Sequence, residues 1–288
     1  MEWIGIDFGT TNSAACRSSE GQFRETTFRD ATGKELPIPT LIAYFQEKYI
    51  YGREALRALT TLDDQSLIIT DLKPQLGRKP DVIIEDMSFK LHDLVSRYLK
   101  HLVFEEVKGL AGRGKVGAVF GTPVEYPSSH REALREAARD AGIEEVEFIY
   151  EPTAALYCAL NEHALNNQPF PDGPVAVIDW GGGTVDISIV RCRHSPDCIE
   201  DLNVNARRQG LGGRDLDGRI LDHMLASVPA AETWFQGASR SIKSRILGNI
   251  ERCKILQLSG KSFAPYVGDI SVIPPEFNDA FELRKESI

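Results

Sequence analysis

Disulfide chemistry, membrane-spanning segments and a basic surface are all missing from this sequence. Its five cysteines (Cys16, Cys158, Cys192, Cys198, Cys253) are odd in number and scattered. That excludes a disulfide framework and suits a reducing, cytoplasmic setting. No apolar stretch reaches the length of a transmembrane helix, and the N-terminus carries an acid and then a strand pattern, so no membrane partner is expected. Lys and Arg number 33 against 42 Asp and Glu, a net charge of −9, which speaks against nucleic acid as a partner. Low-complexity tracts are absent. So is G-x-x-x-x-G-K-[ST], the lysine-bearing phosphate loop. A dinucleotide fingerprint is excluded too, because Gly181-Gly182-Gly183 leads into a β-branched run rather than a helix. What remains is 288 residues, 42% hydrophobic and 26% charged, enough for one or two domains with a real core.

The most telling run is VAVIDWGGGTVDISIV, Val175 to Val190. It reads as an apolar strand, a triple-glycine turn and a second strand, with Asp179 and Asp186 at the ends of the turn. A near copy opens the chain, from Trp3 through Asp7 to Gly9-Thr10-Thr11-Asn12-Ser13. Glycine lets backbone N–H groups converge on an anion with no Cβ in the way, so both turns can cradle phosphate. The hydroxyls of Thr10, Thr11 and Thr184 add donors. Asp7 and Asp179 would repel bare phosphate and make sense only with a cation between, and Mg²⁺ has the matching habit of one or two carboxylates, several waters and phosphate oxygens. Either turn alone reads equally well as a plain β-hairpin. The matched pair favours two similar lobes gripping one phosphate chain.

The rest of the pattern is mixed α/β. Strands are expected at 3–8, 12–17, 23–28, 41–45 and 49–51, with Pro37 and Pro39 breaking the run. A short helix is expected at 53–59. Apolar residues at a 3.6 period predict a helix from Ser88 to Leu110, stopped by Gly109, Gly112 and Gly114. Val116–Phe120 reads as a buried strand. Ser129 with Glu132 reads as a capping box opening a helix that ends at Gly142. A strand at 146–150 follows, then a helix with Pro152 in its first turn. Strands restart at 175–180 and 184–190, with helices at 214–227 and 238–258 and a helical end at 275–287. Asn166–Pro174, polar and rich in Pro and Gly, is the expected boundary between a first lobe (1–170) and a second (171–288). Cys192, His194 and Cys198 surround a Ser-Pro-Asp turn and lack a fourth ligand for zinc, so a hairpin tip is the expectation there.

Seven segments in order, IGIDFGTTNS (4–13), DLKPQLGR (71–78), VFGTPVEYP (119–127), EPTAALY (151–157), VIDWGGGTVDIS (177–188), GLGGRDLD (210–217) and ERCK (251–254), resemble the nucleotide-binding domain of the DnaK-type, seventy-kilodalton heat-shock chaperones. Those belong to the actin-like ATPase superfamily. The resemblance implies a two-lobed, duplicated ribonuclease H-like fold with mixed sheets flanked by helices. It implies ATP/ADP and Mg²⁺ as ligands, slow ATP hydrolysis, and a client protein or co-chaperone as partner. It implies that Gly9, Thr10, Thr11, Asn12, Gly181, Gly182, Gly183 and Thr184 hold phosphate, and that Asp7 and Asp179 hold the hydrated metal. Lys73, Glu151, Asp179 and Thr184 fall at the family's chemical positions, with Lys73 near the γ-phosphate and Glu151 orienting water. Pro123 and Arg131 match an interlobe relay. Gly212, Gly213, Glu251 and Lys254 match the adenosine side. Read from the residues alone, Lys73 and Arg131 can be surface cations. Glu151 can be a helix N-terminal acid, and Glu251 with Lys254 a plain ion pair one turn apart.

The sequence also departs from that pattern. Ile255 follows Lys254 where a basic residue is common, and the span from Asp217 to Glu251 is short. The sequence given stops at Ile288, before the family's second glycine-rich adenosine motif, so the fold is expected to be incomplete at its C-terminus and the adenosine pocket to lack a wall. That leaves three functions in view. The first is an ATPase that uses nucleotide to move two lobes. The second is a catalytically inactive nucleotide-sensing or interaction module. The third is a small-molecule kinase of the same superfamily, for which a carboxylate base for a substrate hydroxyl would be needed. A filament-forming relative is a weaker fourth.

Overall fold

The structure, a computed structural model, describes residues 1–19, 22–25, 27–29, 35–58, 67–78, 81–84, 87–107, 110, 114–166, 168–169, 173–193, 195–209, 211–226, 228–238, 242–243, 246–247, 250 and 273–277. It is α/β, as the motifs require. Strands β1 (Glu2–Phe8), β2 (Asn12–Ser19), β3 (Gln22–Glu25), β4 (Thr27–Arg29) and β5 (Glu35–Pro39) open the chain. They are followed by β6 (Ile42–Phe45), β7 (Lys48–Tyr51), α1 (Gly52–Ala58), β8 (Leu67–Ile69), α2 (Leu72–Gln75), β9 (Asp81–Ile84), β10 (Met87–Lys90) and α3 (Leu91–His101). Next come β11 (Val116–Thr122), α4 (Ser128–Asp140), β12 (Glu145–Tyr150) and α5 (Glu151–Leu165). The last are β13 (Gly173–Trp180), β14 (Thr184–Arg193), β15 (Ser195–Gln209), α6 (Gly213–Ala226) and α7 (Pro229–Gly237).

The main sheet runs β12-β11-β1-β2-β5-β4, with β3 also paired to β2. β1, β11 and β12 are parallel, and β2 is antiparallel to β1. One face of β1 buries Ile4, Ile6 and Phe8, which pack in one core with the apolar stripes of α3 and α4. On α3 that stripe is Leu91, Leu94, Val95, Tyr98 and Leu99, the i, i+3, i+4, i+7, i+8 spacing of a helix covering a core. Phe8 meets Tyr98 with ring centroids 6.0 Å apart, and the Tyr98 hydroxyl donates to the Pro39 carbonyl at 2.8 Å. A second sheet, β13-β14-β15, is an antiparallel meander.

The two sheets contain a register-matched repeat. In the first, Phe8 pairs with Ser13 and Asp7 with Ala14. In the second, Trp180 pairs with Val185 and Asp179 with Asp186. Four residues close each turn, and each aspartate sits one residue before the turn's last strand residue. The copies differ in cover. Phe8 is 0% exposed, whereas its counterpart Trp180 is 66% exposed. The opposite face of β13 is the covered one: Val175 and Val177 pack with Leu156 of α5 and Val190.

Several expectations are corrected. Ser88–Lys90 is strand, paired to β9 with Phe89 opposite Val82, because Phe89 fits the alternation of a strand as well as a helical stripe. The helix then ends in a π turn, Leu102–Glu106, and Val107 is already extended, short of Gly109. The 129/132 capping box does not form. Pro127 occupies the N-cap with no side-chain bond, Ser129 Oγ lies 3.3 Å from His130 Nδ1, and Glu132 pairs with Arg135 at 2.6 Å. The 23–28 strand is two strands, and Pro37 and Pro39 sit inside β5 rather than breaking it. β15 and α7 were not anticipated. The remainder of the 238–258 and 275–287 segments, and the His194 cluster with the side chains of Cys192 and Cys198, lie outside the described residues. Among the described residues no helix is long and apolar enough to cross a membrane.

The π turn has an electrostatic consequence. Its wider pitch brings both Glu105 and Glu106 to the His101 ring: Nδ1 lies 2.8 Å from Glu105 Oε2 and Nε2 3.2 Å from Glu106 Oε1. Arg53 also pairs with Glu106 at 3.2 Å. Burial pulls the imidazole pKa down, but the bonds and charges of Glu106 and Glu105 outweigh it, and the net shift is upward. The imidazole of His101, and after it Arg53, hold Glu106 below its usual range. A raised histidine contributes stability that is fully present below its unfolded value, about 6.5, and is lost as pH rises through the folded value. Denaturant midpoints should therefore fall as pH rises above about 6.5, and His101→Gln should flatten that slope. An unchanged slope in His101→Gln would refute the assignment.

Candidate functional site

The carboxyl ends of the parallel strands define the site, as is general for α/β sheets. β1 ends in Asp7-Phe8 and leads into Gly9-Thr10-Thr11. β11 ends at Thr122 and leads into the buried Pro123. β12 pairs alongside with Tyr150 opposite Thr122, so Glu151, the first residue of α5, emerges at the same edge. Gly121 lies under it: a Cβ there would come 3.3 Å from Glu151 Cγ. Lys73, on α2 and 8% exposed, donates from Nζ to Glu151 Oε1 at 2.7 Å.

The second turn faces the first. A Cβ on Gly182 would collide with Thr11 Oγ1, and one on Gly183 would lie 3.7 Å from the Thr10 side chain. A side chain at 182 would have to displace that of Thr11, so glycine is what permits this close approach. The turn closes on itself through the Gly181 N–H donating to Thr184 O at 2.9 Å. Its far side is fastened to the head of α6, where the Gly213 and Arg214 N–H groups donate to Gly181 O and Gly182 O at 3.1 and 2.9 Å. A Cβ on Gly212 would lie 2.6 Å from Gly182 O. The Asp215 carboxylate accepts from the Gly212 N–H at 2.8 Å.

Four acids crowd this cleft. Burial raises the Asp179 pKa, and Glu151, Asp7 and Asp186 push it further in the same direction, to about 6. Of these four acids, Glu151 is the one that pairs with Lys73, at 2.7 Å. Asp186 is 7% exposed and accepts from the Thr184 hydroxyl at 2.7 Å. Thr11 Oγ1 is buried with no hydrogen-bond partner, a donor aimed at the gap between the turns.

This arrangement has known relatives. The Hsp70 protein family matches residues 79–267, more than half of the sequence. The chain belongs to the Hsp70 family. Curated relatives of this Hsp70-family chain include the chaperone protein DnaK of Nitrosopumilus maritimus, 27% identical over 88% of this chain and 38% of its own length. The DnaK of Metamycoplasma hominis is 27% identical over 88% of this chain and 40% of its own. The chaperone protein HscA homolog of Bordetella petrii is 30% identical over 78% and 37%. The chain thus spans about two fifths of the length of the curated relatives it matches. The mixed sheet with flanking helices is the actin-like ATPase architecture of Hsp70.

Within this Hsp70-family fold, Asp7, Gly9 to Thr11, Lys73, Glu151, Asp179 and Gly181 to Thr184 come together at one cleft, with Gly212 and Gly213 behind the second turn. Asn12 opens β2 and pairs with Pro39. Pro123 stands at the end of β11, and its carbonyl accepts from the Tyr126 N–H at 3.0 Å. Arg131 lies on α4, half-buried, in the first turn after Pro127. Glu251 and Lys254 lie outside the described residues. Asp186, Asp71 and Arg214 belong to the same cleft and were not singled out from the sequence as site residues. The signal for Asp186 was its position seven residues after Asp179 across a four-residue turn.

Proposed function

We propose that this chain binds Mg²⁺-ATP between its two turns and hydrolyses it slowly, using nucleotide state to move a first lobe (1–170) against a second (171–288). The observation that carries the reading is the direct apposition of the turns, with Thr11 Oγ1 unpartnered at Gly182 and the Lys73–Glu151 pair beside them. Backbone N–H groups of Thr10, Thr11, Gly182 and Gly183, with the hydroxyls of Thr10 and Thr11, would bind phosphate oxygens, while the Gly181 N–H and the Thr184 hydroxyl are committed within the second turn, to Thr184 O and Asp186 Oδ2. Asp7 and Asp179 would hold Mg²⁺ through its waters, the habit of an ion that gives up its hydration shell reluctantly. When bound, that ion neutralises phosphate charge and the crowded carboxylates. Lys73 stabilises charge building on the transferred phosphoryl group. Glu151, held by Lys73, orients the attacking water and takes its proton. Thr184 and Asp186 fix the second turn.

Adenosine would lie toward Gly212 and Gly213, with Glu251 and Lys254 beyond. Pro123, at the strand end next to Glu151, and Arg131 would relay nucleotide state. By analogy with chaperones named DnaK and HscA, the output is a client protein or co-chaperone contact in the cytoplasm. The test is phosphate release from ATP with Mg²⁺ and with chelator. Slow release that requires Mg²⁺ supports an ATPase, and no release with saturable binding would leave the nucleotide-sensing module in its place. Transfer to a sugar panel, which we expect to be nil, would favour the kinase.

A further inference from the structure

Asp71 has an unusual backbone. It sits at the N-cap of α2 in the left-handed region, φ 63° and ψ 33°, a conformation uncommon outside glycine that aspartate tolerates better than most residues and that its surroundings can hold. Three neighbours do so. The Thr70 hydroxyl donates to Asp71 Oδ2 at 2.9 Å, Gln75 Nε2 donates to the Asp71 carbonyl at 2.9 Å, and the Arg214 guanidinium pairs with Asp71 Oδ1. Two of these are local. The third reaches across the cleft, because Arg214 belongs to the head of α6 and its own N–H is bonded to Gly182 O at 2.9 Å.

A continuous chain of contacts therefore runs from the second glycine turn through Arg214 to Asp71, then two residues along the backbone to Lys73, and on to Glu151. Resting on the ATPase reading above, we infer that Arg214 is a positioning residue. Its grip on Asp71 registers Lys73, and through Lys73 the Glu151 carboxylate, against the turn that carries the phosphate. Neither Arg214 nor Asp71 touches the reacting atoms. Both side chains are about a third exposed, 33% and 36%, so the pair is screened by salt and acts on geometry more than on stability. A small displacement of a charge-stabilising group is enough to cost rate, because the group acts only where charge develops.

The test uses the full chain as given, with Arg214→Ala, Asp71→Asn and the swap Asp71→Arg with Arg214→Asp. Two readouts are taken. The first is single-turnover rate and nucleotide Kd at saturating Mg²⁺-ATP. Arg214→Ala should slow turnover about ten-fold and leave Kd within about two-fold, since misplacement affects chemistry more than binding. The second is amide exchange within 72–76 without nucleotide, read at Leu76, whose N–H donates to Leu72 O at 3.1 Å. Loss of the pair should speed it by roughly five-fold, the upper end for a partly exposed ion pair, and the swap should restore part of the protection. High salt should reproduce the loss in wild type and not deepen it in Arg214→Ala. The inference is overturned if exchange of 72–76 is unchanged in Arg214→Ala, or if Kd and rate fall together and the swap restores neither. A wild type without turnover would refute the ATPase reading alone, because the exchange readout needs no nucleotide.

Discussion

Lys73→Ala is expected to lower the single-turnover rate of ATP hydrolysis by about 10²–10³-fold, the cost of removing one preorganised group that stabilises developing charge. Two losses combine. The positive charge beside the phosphoryl group goes, and Glu151 loses the partner 2.7 Å away that holds its carboxylate. With Asp179 already pushed up to about 6 by burial and by the neighbouring acids, an unpaired Glu151 would face those acids without its own cation and would no longer be held in place to orient water. Nucleotide affinity should change far less, because the glycine turns and their N–H groups are untouched. Lys73→Arg should recover little, since a planar fork does not reproduce a compact ammonium at a site 8% exposed. Rapid-quench turnover with calorimetric Kd on the same samples checks this. A fall of less than about three-fold would place Lys73 outside the transition state, since a group that acts there costs far more.

Gly182→Ala is expected to weaken ATP binding by about five- to 150-fold, the equilibrium equivalent of the 1–3 kcal/mol that overpacking costs. The new Cβ would collide with Thr11 Oγ1, so the turns could not approach as they do and the converging N–H groups would splay. Gly212→Ala should act in the same direction from behind, where the obstacle is the backbone of Gly182 and Gly183 at 2.6 Å and cannot rotate away. Thr11→Ala placed on Gly182→Ala should restore part of the approach, seen as recovered stability of the nucleotide-free protein. Titration of ATP into each variant reads the first effect and thermal denaturation the second. Undiminished affinity in Gly182→Ala would mean that the turns do not close on nucleotide.

Much of the site was legible because it is written in local chemistry. Asp7 and Asp179 stand at strand ends before glycine turns, and the structure pairs both copies in the same register. Strand ends and hairpins are fixed by neighbours in sequence, so they read directly. Glu151 with Pro152 marked a helix start for the same reason. The ion pair between Lys73 and Glu151 spans 78 positions, and only the ordering of motifs placed the two near each other. Asp71 and Arg214 were illegible, since nothing local says that an aspartate turned left-handed will meet an arginine from another sheet's helix. The Ser88 helix start failed because one apolar residue, Phe89, fits both periodicities, and pairing with Val82 decided the matter. Pro37 and Pro39 were misread as breaks because β5 runs between β2 and β4 with few ladder bonds at either proline: β2 meets it only at Ile38 and Pro39. The exposure of Trp180 against its buried counterpart Phe8 is also invisible in sequence, because both are large apolar residues before a glycine and only the covering elements differ.

The central claim is that two distant turns act as one Mg²⁺-ATP clamp. The most direct measurement is a calorimetric double-mutant cycle on ATP binding in Mg²⁺, with Asp7→Asn, Asp179→Asn and both together. A single shared site predicts that each change alone removes most of the Mg²⁺-dependent affinity and that the double variant is scarcely worse than either, a strongly non-additive result. Additive losses, or a neutral outcome at either aspartate, would contradict the clamp.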